Sequence, residues 1–168
     1  MGGKQSVTIP AFGLAGSGKS LLFSTMKGNA FEGPYPGVEV HSHQHGTVMP
    51  CGIGEEKQLP LLWGHWGDTT NFVFVVDSTN EKGMVRLSHL IELMFTSTDD
   101  RRELDISKCT FLVYATKQDL ESALEPEEVA RSVGFDGEHL VPKRLVLQGT
   151  SMTTLKVEGL KGWKEAFG

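Results

Sequence analysis

The sequence predicts an α/β domain: a mostly parallel sheet of about six strands with one antiparallel edge hairpin, and about five helices spread over both faces. Three observations predict it. Short runs rich in Val, Phe, Leu and Ile alternate with stretches whose apolar residues recur every three or four positions. The run Phe72–Val76 is continuously apolar, as expected of a strand covered on both faces. The chain has 168 residues, 39% hydrophobic and 22% charged, which suits one domain with its own core. Residues 1–168 are read as that domain, with 1–6 as a short N-terminal arm.

The elements follow in order. Val7–Phe12 is the first strand, and Ser20–Lys27 is a helix entered through a glycine turn. Val38–Gln44 alternates, Gln44, His45 and Gly46 supply turn residues, and Thr47–Ile53 returns as the hairpin's second strand. Asn71–Val76 is the next strand, followed by a helix marked by Met84, Leu87, Ile91 and Met94. Cys109–Tyr114 is a further strand. Glu125-Pro126-Glu127-Glu128 then opens a helix with Pro in its first turn and acids at its positive end. Lys143–Leu147 is the last strand, and Val157, Leu160, Trp163 and Phe167 mark the closing helix. Such alternation calls for right-handed crossovers. Pro10 and Pro50 fall inside strands, where each removes a ladder N–H, so they are read as bulges or strand ends.

Composition excludes several classes. Two cysteines, Cys51 and Cys109, make no disulfide framework or metal-ligand spacing, and a reducing compartment is expected. No apolar run has the length of a membrane span, and no basic-then-apolar leader precedes the first strand, so an intracellular, cytoplasmic setting is expected. A net charge of −5 with Lys and Arg dispersed gives no electrostatic reason to expect nucleic acid as partner. The 20 glycines exceed the ordinary usage of about 7% and call for a backbone explanation.

Part of that explanation is Gly13-Leu14-Ala15-Gly16-Ser17-Gly18-Lys19-Ser20, which fits G-x-x-x-x-G-K-[ST] between a strand and a helix. Gly13, Ala15, Gly16, Ser17 and Gly18 let backbone N–H groups wrap a phosphate at a positive helix N-terminus. Lys19 reaches the β- and γ-phosphates, and the Ser20 hydroxyl can ligate Mg²⁺. The bland alternative is a strand–turn–helix junction needing glycine for tightness alone. A second signal, Thr116-Lys117-Gln118-Asp119, sits at a strand's carboxyl end, where α/β sheets place ligands. A carboxylate there can accept two hydrogen bonds from guanine N1 and N2.

Together the two motifs resemble the small-GTPase pattern, and further segments narrow it to the ADP-ribosylation-factor-like (Arf-like) branch. These are Leu61-Leu62-Trp63-Gly64-His65-Trp66, Phe74-Val75-Val76-Asp77-Ser78, Leu112–Leu120 and Gln148-Gly149-Thr150-Ser151, in family order. The resemblance implies the small-GTPase fold, bound GTP or GDP, and Mg²⁺. It implies that Asp119 selects guanine, that Lys117 packs along the base and that Thr116 stands where most members have Asn. It also implies that the loop Thr150-Ser151-Met152 brings a backbone N–H to guanine O6, with Met152 replacing the usual Ala. Val38, Trp63 and Trp66 stand where Arf-like proteins form an apolar surface for protein partners.

The sequence departs from the family at its γ-phosphate sensors. Pro34-Tyr35-Pro36-Gly37 offers Tyr35 where members place a Mg²⁺-capping Thr. Aligned on Leu62-Trp63, Gly52-Ile53-Gly54-Glu55-Glu56 replaces D-x-x-G-Q. Gly52 thus stands for the metal-linked Asp, Glu55 for the Gly whose N–H meets the γ-phosphate, and Glu56 for the water-positioning Gln. Two carboxylates beside a polyphosphate repel it by about 1 to 4 kcal/mol per pair, depending on effective dielectric. Weak or absent hydrolysis is therefore expected. Glu56 as a general base is the competing reading, and it requires a raised pKa. A catalytically inert structural subunit with permanently bound nucleotide is the alternative to a partner-binding switch. A small-molecule kinase is disfavoured, because no lid-like segment or substrate Arg pair stands out.

Two lesser patterns remain. His41, His43 and His45 alternate along a strand and read as the outer face of an edge strand rather than a metal site. Met1-Gly2-Gly3-Lys4-Gln5-Ser6 fits the N-myristoylation pattern. A single such chain, without a basic cluster, implies at most weak and reversible membrane contact.

Overall fold

The computed structural model describes residues 8–27, 41–43, 46–52, 69–96 and 104–168. Six strands form one sheet: β1 (Thr8–Gly13), β2 (His41–His43), β3 (Gly46–Gly52), β4 (Asn71–Asp77), β5 (Thr110–Thr116) and β6 (Arg144–Gly149). Their order across the sheet is β2-β3-β1-β4-β5-β6. Every neighbouring pair is parallel except β2 and β3, the antiparallel edge the sequence predicts. Four α-helices lie among the described residues: α1 (Lys19–Lys27), α2 (Glu81–Thr96), α3 (Pro126–Ser132) and α4 (Leu155–Phe167). A 3₁₀ turn, Ile106–Lys108, leads into β5.

Period-two alternation assigns the sheet's two faces. On β4, Phe72, Phe74 and Val76 join one buried cluster while Val73 and Val75 join the other. On β5, Phe111, Val113 and Ala115 oppose Leu112 and Tyr114 in the same way. The first cluster is closed by α2 through Met84, Leu87 and Ile91, and by α3 through Val129. The second is closed by α1 through Leu22, Phe23 and Met26, and by α4 through Leu155 and Trp163. Phe74 anchors the first cluster, with ring centroids 5.3 Å from Phe111 and 5.2 Å from Phe135. Such pairs contribute about 0.5–1.5 kcal/mol each beyond area burial.

Several expected boundaries shift. The sequence puts the end of the fifth strand at Tyr114, yet buried Ala115 continues the apolar run and pairing extends through Ala115↔Gly149 on one side and Asp77↔Thr116 on the other. Hydrophobicity stops before hydrogen bonding does, because the carboxyl ends of the strands carry polar residues. Neither proline is a bulge, since the β1–β3 register runs unbroken through Pro10↔Met49 and Ala11↔Pro50. Pairing of β1 with β4 comprises only Ala11↔Val73 and Phe12↔Phe74, so Pro10 sits where that ladder stops. Among the described residues β2 pairs with β3 only across Gly46–Val48, short of Pro50. At α3 the expected start is present: Pro126 opens the helix, and the Glu125 N–H donates to Glu128 Oε2 at 3.3 Å.

Candidate nucleotide site

At the carboxyl end of β1 the chain turns through the glycine-rich loop into α1. Gly13 admits no side chain: a Cβ there would lie 2.5 Å from Val75 O and 2.7 Å from Ser17 Oγ. Gly16 and Gly18 have φ of +79° and +94°, a left-handed backbone that glycine adopts without steric cost. The Ser17 N–H donates to Leu14 O at 3.2 Å, and Gly18 O accepts from Leu22 N–H at 2.9 Å, which starts the helix. The Lys19 ammonium curls back over the loop, donating to Gly13 O at 2.7 Å and to Leu14 O at 3.2 Å. Ser20 is half-buried in the first turn of α1. This arrangement of glycines, helix N-terminus and lysine can hold a phosphate chain.

The loop after β5 is tied to it directly. Thr116 Oγ1 lies within donating distance of Ser17 O, at 2.7 Å, and of Val76 O, at 3.0 Å. One buried hydroxyl thereby joins the glycine loop, β4 and β5. Lys117 adopts φ of +62°, and its ammonium donates to Asp77 Oδ2 at 2.7 Å. Asp77 Oδ1 accepts from the Thr79 N–H at 2.9 Å and the Thr79 hydroxyl at 2.6 Å. Burial pushes the Asp77 carboxyl up, but the hydrogen bonds from Lys117 and Thr79 outweigh it and leave the group below its ordinary 3.8. Gln118 braces the loop, donating from Nε2 to Ser78 Oγ at 2.7 Å and to Leu124 O at 2.9 Å. Asp119 is exposed just beyond.

The third loop follows β6. Thr150 N–H donates to Ala115 O at 2.9 Å, and Thr150 O accepts from Gln118 N–H at 3.0 Å, so this loop rests against the one after β5. Thr150 itself is fully buried, and its hydroxyl has no hydrogen-bond partner among the described residues. The Ser151 N–H donates to Glu158 Oε2 on α4 at 3.0 Å, and Ser151 Oγ lies 2.6 Å from Thr154 Oγ1. Met152 is exposed.

Gly13, Ala15, Gly16, Ser17, Gly18, Lys19, Ser20, Thr116, Lys117, Asp119, Thr150, Ser151 and Met152 thus lie in or directly flank three loops at the carboxyl end of the sheet, linked by backbone and hydroxyl hydrogen bonds. Sequence reasoning did not assign Asp77, Thr79, Gln118 and Glu158 a part in holding these loops. The signal for Asp77 was available, since it ends the apolar run of β4 beside the loop after β5. Gly52 closes β3 opposite Gly13, and among the described residues no heavy atom lies within 4 Å of where its Cβ would be. Tyr35, Val38, His45, Glu55, Glu56, Trp63, Trp66 and the N-terminal arm lie outside the described residues. Among the described residues no helix is long and apolar enough to cross a membrane, and no group of three or more His, Cys, Asp or Glu is placed to hold a metal ion.

The profile of the ADP-ribosylation factor family matches residues 1–165. ADP-ribosylation factor F of Dictyostelium discoideum is 26% identical over 139 residues, covering 80% of this chain and 71% of that protein. ADP-ribosylation factors K and J of the same organism are 28% and 27% identical over the same length.

Proposed function

Because the chain belongs to the ADP-ribosylation factor family, we propose that it binds guanine nucleotide across the three loops, hydrolyses GTP weakly or not at all, and acts through protein partners. The observation that carries the binding part is the Thr116 hydroxyl within reach of Ser17 O, which joins the phosphate loop to the base loop. In this reading Lys19 meets the β- and γ-phosphates, Ser20 ligates Mg²⁺, Asp119 pairs with guanine N1 and N2, and Lys117 lies along the base. The N–H of Met152 faces guanine O6.

The impaired chemistry rests on Gly52, Glu55, Glu56 and Tyr35. Gly52 carries no carboxylate to link to the metal, and none of the described residues fills the space a side chain there would take. Val38, Trp63 and Trp66 form the proposed partner surface, and a lipid on Gly2 would add only weak, reversible membrane contact at a cytoplasmic membrane or cytoskeletal assembly. The second reading, an inert subunit holding its nucleotide permanently, is favoured by the same replaced residues.

Mass spectrometry of nucleotide released from the purified protein, paired with a single-turnover GTP assay, tests both. Released GTP or GDP with a hydrolysis rate far below that of ordinary small GTPases is expected. Full occupancy without exchange selects the inert subunit, and ready exchange selects the partner-binding switch. Absence of guanine nucleotide, or an ordinary hydrolysis rate, overturns the proposal.

A further inference from the structure

We propose that Asp77 is a positioning residue for nucleotide binding, its carboxylate holding the Lys117 ammonium so that the lysine's methylene stem is set in place before the base arrives. The inference rests on the reading of Lys117 as the residue that lies along the base. A lysine stem is among the most mobile of side chains, and ordering it on binding costs affinity. Here the ordering is already done. The left-handed backbone at Lys117 sets the direction of departure, and Asp77 Oδ2 captures the ammonium at 2.7 Å. The carboxylate is itself fixed from the other side by both Thr79 hydrogen bonds. With side-chain exposures of 38% for Lys117 and 16% for Asp77, the pair is partly shielded from screening.

The charges point to the same role. Asp77 lines a small recess together with Leu14, Ala15 and Ser17 of the phosphate loop, where an unneutralised carboxylate would repel a nucleotide. Pairing with Lys117 cancels that repulsion and leaves the stem, not the ammonium, to face the base. Contact with an apolar stem is blind to the exocyclic amine of guanine, which the Asp119 carboxylate reads. Loss of Asp77 therefore weakens GDP and IDP equally.

The test measures affinity for GDP and IDP in wild type, Asp77→Asn, Lys117→Met and the double variant. Asp77→Asn is expected to weaken both nucleotides by about three- to tenfold, leave the GDP-to-IDP ratio unchanged, and cause no loss when Lys117 is already Met, where removing the unpaired carboxylate leaves affinity unchanged or raises it. Thr79→Val, which removes one of the two hydrogen bonds on Oδ1, repeats the test in milder form with a loss of about two- to threefold. Unchanged affinity in both Asp77→Asn and Thr79→Val, a shifted ratio, or an undiminished loss in the Lys117→Met background overturns the inference alone. A wild-type chain that binds neither nucleotide overturns the binding proposal and this inference with it.

Discussion

Thr116 is a short side chain at the end of β5, and its environment shows what its hydroxyl does there. Its hydroxyl reaches Ser17 O and Val76 O, and its methyl packs 3.9 Å from the position a Cβ on Gly18 would take. The residue is buried, so water cannot replace the hydroxyl. Thr116→Val keeps the shape and strands the Ser17 carbonyl, at a cost of about 1–3 kcal/mol. Urea unfolding is expected to register that loss, with dissociation of a fluorescent GDP analogue accelerated. Thr116→Ser, which keeps the oxygen, is expected to stay close to wild type in both. Equal effects from Val and Ser would show that the methyl, not the hydroxyl, holds the loop.

Among the elements, α4 packs close against its neighbours because two glycines remove its side chains at the contact. A Cβ on Gly159 would come within 2.9 Å of Met26 Cγ and 3.0 Å of Leu22 Cδ1 on α1; one on Gly162 would come within 2.8 Å of Gln148 Cβ and 3.2 Å of Tyr114 Cε1. The Tyr114 hydroxyl donates to Gly159 O at 2.6 Å, which pins the crossing, and burial raises its pKa well above the ordinary 10.0. The two sites differ in what can yield. Met and Leu side chains repack, whereas Gln148 Cβ is fixed to the backbone of β6. Alanine gains about 1 kcal/mol of helix propensity over glycine at either position, and overpacking costs about 1–3 kcal/mol. Gly159→Ala is therefore expected to be near neutral in denaturant unfolding and Gly162→Ala to lose about 1–2 kcal/mol. The reverse order would mean that the α1 contact is the rigid one. These glycines were not legible in the sequence as close approaches, because helical periodicity reports which face is buried and not how near the neighbour stands. The strands were legible because alternating burial on both faces leaves an apolar run, and their polar carboxyl ends were missed for the same reason. The loop Gly13–Ser20 was legible because glycine and lysine at fixed spacing carry its geometry locally, whereas the Asp77–Lys117 pair spans 40 residues and exists only once β4 and β5 are in register.

For the whole molecule, the three candidate loops come from β1, β5 and β6, the first about a hundred residues before the other two, yet all are drawn to the carboxyl end of a doubly covered sheet. A ligand held by all three exists only on the folded state, since no single segment retains the site when the sheet is lost. Binding therefore adds directly to global stability, by RT ln(1 + [L]/Kd), or about 2.7 kcal/mol at a hundredfold excess over Kd. For a domain of this size each kcal/mol moves the unfolding midpoint by about 2–4 °C. GDP with Mg²⁺, added to protein stripped of nucleotide, is thus expected to raise Tm by about 5–10 °C at that excess. ADP with Mg²⁺, which offers the Asp119 carboxylate no N1–H and N2–H pair, is expected to shift it far less. Differential scanning calorimetry makes the comparison, and equal shifts from GDP and ADP would mean that the phosphate loop binds without the base loops. Gly13→Ala, whose Cβ would collide with Val75 O, is expected to abolish the GDP shift, because the distortion falls where the phosphate loop leaves the central strands.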